Sequence, residues 1–191
     1  MAITDDAPLT TSKDNDASRQ AAAAFADPKG SSLVGRTVTI NKPREELFAY
    51  WRDFSNLAHF MDNVERIDVL DERCSHWVVK APAGRTVEWD AVITRETKDE
   101  VLEWSSAEGA DVPNSGKVEF TEAQGGRGTI VTATILYDPP GGVVGKVIAK
   151  LFQREPAMQA RRDLRRFKQL METGELATAA RTRADLQKEK V

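Results

Sequence analysis

TIVTATILYDPPGGVVGKVIAKLFQREPAMQARRDLRRFKQLMETG, residues 129–174, is the stretch whose reading decides the fold. Thr129 to Tyr137 is rich in β-branched residues and reads as a strand. Pro139-Pro140 then imposes an extended approach, and Gly141-Gly142 supplies the freedom for a turn into a helix. From there the period changes from that of a strand to that of a helix. Val144, Val147, Ile148, Leu151 and Phe152 form one apolar stripe, which Ala160, Leu164, Phe167 and Met171 resume beyond Pro156. Pro156 is expected to break or kink the helix, and Gly174 to stop it. A helix this long with one oily side needs an apolar partner, and the concave face of a bent sheet can supply one.

Working outward, the strands of that sheet precede the helix. Val34, Val38 and Ile40 keep a period of two. Asn41 is the expected cap of a short helix, with Pro43 in its first turn and Glu45 and Glu46 at the positive end of its dipole. Leu47, Phe48, Tyr50 and Trp51 form its packing face, and Ser55 is the expected cap of a second short helix reaching Phe60. Six further strands are expected at Val64–Leu70, Cys74–Lys80, Arg85–Thr94, Val101–Ser105, Lys117–Thr121 and Thr129–Tyr137. Their separators, Asp71-Glu72, Pro82-Ala83-Gly84, Lys98-Asp99-Glu100 and Gly125-Gly126 with Gly128, carry turn chemistry and are too short for parallel crossovers. The fold class is therefore α+β, a seven-stranded curved antiparallel sheet around a long C-terminal helix, with the two short helices acting as a lid across one end. Residues 1–31, poor in large apolar side chains, are read as a flexible extension; 32–174 form one ligand-binding domain; 175–191 are a charged tail.

Composition narrows the function classes. At 191 residues with 30% charged side chains and a formal net charge of -3, the chain has no global basic field for nucleic acid. Cys74 is the sole cysteine, which excludes an intrachain disulfide and a thiolate cluster, and its strand position suits a buried structural thiol. No apolar run approaches the ~18 residues of a spanning helix. The N-terminus lacks the basic and hydrophobic regions of a secretory signal, so a cytoplasmic location is the default.

Several segments together carry a family likeness: Asn41-Lys42-Pro43-Arg44-Glu45-Glu46-Leu47-Phe48, Trp77-Val78-Val79-Lys80-Ala81-Pro82-Ala83-Gly84, Glu88-Trp89-Asp90, Tyr137-Asp138-Pro139-Pro140-Gly141-Gly142 and Leu164-Arg165-Arg166-Phe167-Lys168-Gln169-Leu170-Met171-Glu172. From Val34 to about Glu175 the chain resembles the SRPBCC or START-like superfamily, the helix-grip fold of pollen allergen Bet v 1. It looks most like the bacterial polyketide cyclase/dehydrase-like group related to coenzyme Q-binding proteins. The resemblance implies a hydrophobic cavity between the C-terminal helix and the sheet. It transfers no catalytic motif onto numbered positions, because this fold hosts carriers, receptors and enzymes alike.

Candidate cavity residues follow from the strands. Trp77, Trp89 and Trp104 sit on three successive strands and Phe120 on the next, where they either fill the core or line a site for a flat, greasy ligand. Val147 and Leu151 would face them from the helix, and His59 would stand near the mouth as a hydrogen-bonding or proton-transfer group. Glu88 and Asp90 share a strand face opposite Val87, Trp89 and Ala91, so an inward tryptophan face leaves both carboxylates in water. A bulge that turned one inward would make it a general acid or base, and Glu103 and Glu119 share that ambiguity. His76 with Cys74 offers only two ligands, too few for zinc, so no metal is expected. The glycine runs lack a nucleotide fingerprint, and no cofactor is expected. Arg161, Arg162, Arg165 and Arg166 concentrate positive charge on the last helix, either as a solvated face or for transient contact with an anionic membrane. The leading expectation is binding or transfer of a hydrophobic small molecule, such as a lipid, an isoprenoid quinone or a polyketide-like compound. The alternative is an aromatase/cyclase or dehydratase acting on a hydrophobic carbonyl compound, and a third reading is a protein-interaction module.

Overall fold

A computed structural model of the chain describes residues 32–81, 84–137 and 156–176. Its element order is β1 (Ser32–Ile40), α1 (Arg44–Arg52), a 3₁₀ helix (Phe54–His59), β2 (Val64–Val69), β3 (Cys74–Ala81), β4 (Arg85–Thr97), β5 (Val101–Ser106), β6 (Asn114–Glu122), a 3₁₀ turn (Gln124–Gly126), β7 (Thr129–Tyr137) and α2 (Pro156–Thr173). The strands form one antiparallel sheet in the order β1-β7-β6-β5-β4-β3-β2. Each hairpin follows from its short turn, and β7 returns to pair with β1 from Ser32↔Tyr137 to Ile40↔Thr129. Register slips between Val64 and Arg66 and between Ile93 and Arg95, and such bulges increase bend and twist. The result is the half-barrel with a C-terminal helix and two short helices after the first strand that the periodicity predicts.

Local chemistry differs from expectation at both short helices. Pro43, not Asn41, is the N-cap of α1, with φ -59° and ψ 145° and no side-chain cap. Pro43 provides the first carbonyl of the helix, to Leu47 N–H, while the Asn41 amide is engaged by Glu172 of α2 at 2.7 Å. In the second, Asp53 rather than Ser55 is the cap: its carboxylate accepts from the Ser55 amide at 3.1 Å and the Ser55 hydroxyl at 2.6 Å. Both donors belong to Ser55, so its hydroxyl is spent on the Asp53 carboxylate and does not act as the cap.

Strand β6 begins at Asn114, three residues before the expected Lys117, and β4 runs on to Thr97. Asn114-Ser115-Gly116 has turn composition, yet pairing with Ser105 and Trp104 of β5 on one side and with β7 on the other holds it in the ladder. Helix α2 lies along β1 and drives Leu164 and Phe167 into the core, where Phe167 is 0% exposed. Phe167 meets Trp51 edge-on at 5.0 Å and Phe60 at 4.9 Å, so α1, the 3₁₀ helix and α2 share one aromatic cluster. Polar clamps flank it: Lys168 Nζ donates to Thr39 O at 2.6 Å and pairs with Glu172 at 3.2 Å. Gly174, at φ 75°, ends the helix by donating to Leu170 O. The expected stripe Val144–Phe152, the Pro139–Gly142 turn, the N-terminal extension 1–31 and the tail beyond 176 lie outside the described residues, as does the chain's entry into Pro156.

Candidate functional site

Between the sheet and α2 lies a hollow of about 190 Å³. Trp77, Trp89 and Trp104 form one wall, Val112, Ala133 and Ile135 continue it along the sheet, and Leu164 faces them from the helix. The three tryptophans share a face because residues 77 and 89 are registered partners and Trp104 is registered with Ile93, which stands on the same face of β4 as Trp89. Trp77 and Trp89 stack at 6.1 Å with their planes 11° apart. Phe54 braces this wall, edge-on to Trp77 at 5.9 Å and to Trp104 at 6.2 Å. Trp77 spends its indole N–H on Ser75 Oγ at 3.0 Å, so its contribution to the hollow is apolar. Trp104 fits only because its registered partner is Gly116: a Cβ there would overlap the indole ring. The volume is below the roughly 300–1,000 Å³ of most small-molecule sites, so a large ligand must displace side chains of the wall.

A wider surface groove of about 740 Å³ runs between the 3₁₀ helix and the β2–β3 turn. It is a poorer candidate despite its size. Its rim is formed by charged groups already engaged with each other or with backbone, including Arg52 with Glu96 at 3.0 Å and Arg73 with Ile93 O at 2.6 Å. Cys74 sits on this groove half-buried rather than fully buried, and its thiol is pushed up by burial first and by Asp71 and Asp90 next. A raised thiol has little thiolate at neutral pH and is a poor nucleophile.

The polar part of the hollow is concentrated near α2. Gln159 and Asp163 are one helical turn apart, and Gln159 Nε2 donates to Asp163 Oδ1 at 2.9 Å. The backbone amide of Asp62 donates to the same carboxyl. Arg166, one turn further, donates from Nε to Phe60 O at 2.9 Å and pairs with Asp62 at 3.1 Å, tying α2 to the loop that follows the 3₁₀ helix. Burial pushes the Asp163 carboxyl up to about 7; Asp62 adds to the rise, and the Gln159 and Asp62 hydrogen bonds and Arg166 oppose it. Removal from water dominates because the apolar wall offers the charged form too few compensating partners. At neutral pH this carboxyl is therefore both a proton donor and a proton acceptor.

The other anticipated residues are distributed differently. Phe120 is 2% exposed and sealed between Phe48 at 5.7 Å and Trp51 at 6.3 Å, outside the wall, because α1 covers that end of β6. His59 is exposed, with Nδ1 3.1 Å from Tyr50 Oη. The reason is the 3₁₀ winding: at three residues per turn Phe54, Leu57 and Phe60 point inward, and His59 falls off that stripe. Val147 and Leu151 lie outside the described residues. Glu88 and Asp90 face solvent on the outer side of the sheet and converge on His76, at 3.5 and 2.8 Å. Glu103 pairs with Arg95 at 3.3 Å and Glu119 with Lys117 at 3.0 Å, also away from the hollow. Asp163 is the residue that sequence reasoning missed. The available signal was its place beside the Ala160–Leu164–Phe167 stripe, with Gln159 four residues before it.

Residues 40–165 match the protein family described as polyketide cyclase / dehydrase and lipid transport. The chain belongs to this family. Among its relatives is an uncharacterised 17.2 kDa protein of Streptomyces lincolnensis encoded in the melC2–rnhH intergenic region, 29% identical over 142 residues, or 74% of this chain and 90% of that one. The crystal structure of DR_A0006 from Deinococcus radiodurans is 39% identical and superposes with a TM-score of 0.62, covering 75% of this chain and all of the other. The Zhui aromatase/cyclase of Streptomyces sp. R1128 superposes with a TM-score of 0.59 over 77% of this chain and 99% of its own; at 14% identity the likeness is one of fold. For this family member no helix among the described residues is long and apolar enough to cross a membrane.

Proposed function

We propose that this domain binds a hydrophobic, ring-bearing small molecule in the tryptophan-lined hollow and acts on it as an aromatase/cyclase or dehydratase. The observation that carries this reading is the Asp163 carboxyl, held near neutrality in a wall that is otherwise mostly apolar. Stacked indoles hold a flat carbon skeleton, and a carboxyl populated in both forms can take a proton from an activated C–H and return it to a departing hydroxyl. Those two transfers release one water from a β-hydroxycarbonyl compound, with no further reactant. Placement of Glu88, Asp90, Glu103 and His59 outside the hollow leaves Asp163 as the acid–base group of this reading.

A carrier of lipid or isoprenoid quinone is the second reading, favoured by the apolar wall and by the lipid transport in the family's description. Contact with an anionic membrane through Arg161, Arg162, Arg165 and Arg166 belongs with it; Arg166 also holds α2 to the 60–62 loop. Native mass spectrometry of protein gently purified from its own source tests both. A retained hydrophobic molecule that loses one water on incubation, and no longer does so with Asp163→Ala, is the expected result. Release of the molecule unchanged would leave the carrier, and a protein that retains none and binds no neutral hydrophobic dye would overturn both.

A further inference from the structure

The charge arrangement around the hollow restricts which ligands it can accept. Among the described residues the wall contains no lysine, arginine or histidine; its polar side chains are Asn63, Asn114, Gln159 and Asp163, beside the tryptophan indoles, of which Trp51 keeps a buried N–H without a hydrogen-bond partner. Asn114 donates one amide N–H to Val112 O at 2.8 Å, and Gln159 donates one of its own to Asp163. The cation that acts on Asp163 is Arg166, which donates to Phe60 O and pairs with Asp62. The charged groups acting on Asp163 are therefore Arg166, on its own helix, and Asp62, from the loop packed against that helix.

An anionic headgroup entering this end would lose its water, meet Asp163 and Asp62, and find no cation among the described residues of the wall. Burying a charge without a partner is among the most unfavourable changes in protein energetics. A neutral ketone or quinone oxygen has the opposite fit, because it needs one donor, and a protonated carboxyl is a strong one. We infer that the α2 end of the hollow selects uncharged hydrophobic ligands bearing a hydrogen-bond acceptor and rejects carboxylates, with protonated Asp163 as the specificity-determining donor. This rests on the reading above that the hollow holds a hydrophobic ligand, and it separates this chain from fatty-acid carriers. It also sets a direction with pH: ligand affinity falls as pH rises through the titration of Asp163, because the donor becomes an anion facing the ligand's oxygen.

Displacement of the neutral dye N-phenyl-1-naphthylamine from the full chain tests the inference, with a long-chain methyl ketone and the fatty acid of equal length as competitors. At about pH 6 the ketone is expected to compete roughly tenfold better than the carboxylate, and to weaken by roughly tenfold by about pH 8.5, the scale of one good hydrogen bond. Asp163→Asn keeps a donor that does not titrate, so ketone affinity should persist and its pH dependence disappear. Asp163→Leu should still bind the dye but lose its preference for the ketone over the plain hydrocarbon. Equal or tighter fatty-acid binding, or the same ketone pH profile in wild type and Asp163→Asn, would overturn the inference while leaving the hydrophobic site standing. Failure of the wild type to bind the dye at either pH would instead overturn the reading on which it rests.

Discussion

Replacing Asp163 with asparagine should stabilise the folded domain, and by an amount that grows with pH. In the folded chain the carboxyl titrates near 7, against 3.8 for the free side chain. Between those values the folded state holds a proton that the unfolded state has released, so stability falls as pH rises, by about 1.4 kcal/mol per pH unit. The full window of about 3 units corresponds to roughly 4 kcal/mol, an upper bound because unfolded chains retain some structure. From pH 5 to pH 8 the remaining 2 units correspond to about 3 kcal/mol. Asparagine has nearly the same shape, can accept from the Asp62 amide, and does not titrate. Urea unfolding of both proteins at several pH values measures the effect, since their difference cancels the titrations they share. The variant's advantage should rise by about 3 kcal/mol from pH 5 to 8 and level off above. A difference that stays flat within about 1 kcal/mol would refute the reasoning, because the carboxyl would then be as well solvated folded as unfolded.

Three further outcomes follow from the packing. Phe167→Ala removes a fully buried ring shared by α1, the 3₁₀ helix and α2, and should lower unfolding free energy by about 3–5 kcal/mol in denaturant melts. Gly128→Ala should be destabilising by at least about 2 kcal/mol: at φ 88° its Cβ would run into the backbone of Ile40, Asn41 and Lys42, which cannot yield as a side chain would. Gly116→Ala should cost about 1–3 kcal/mol and push the Trp104 indole off its seat, read as a changed tryptophan emission and weaker dye binding; unchanged emission with full binding would show that the ring does not depend on that gap.

Periodicity alone determined the architecture of this protein. Alternation at two and then at about 3.6, with turn residues between, is set by backbone geometry and survives whatever packs against it, so seven antiparallel strands, two short helices and a C-terminal helix were all legible. The inward face of Trp89, with Glu88 and Asp90 outside, was legible for the same reason. Tertiary structure decided what lies beyond one element's own period. The register of β5 on β6 drew Asn114-Ser115-Gly116, ahead of the strand expected from Lys117, into the ladder and seated Trp104 over Gly116. Tight 3₁₀ winding turned His59 outward, and α1 sealed Phe120 beneath the core. Asp163 became the unusual group of the site only because the 60–62 loop and the apolar wall close over the flank of α2. Desolvation depends on every neighbour in three dimensions, and no spacing along one helix encodes it.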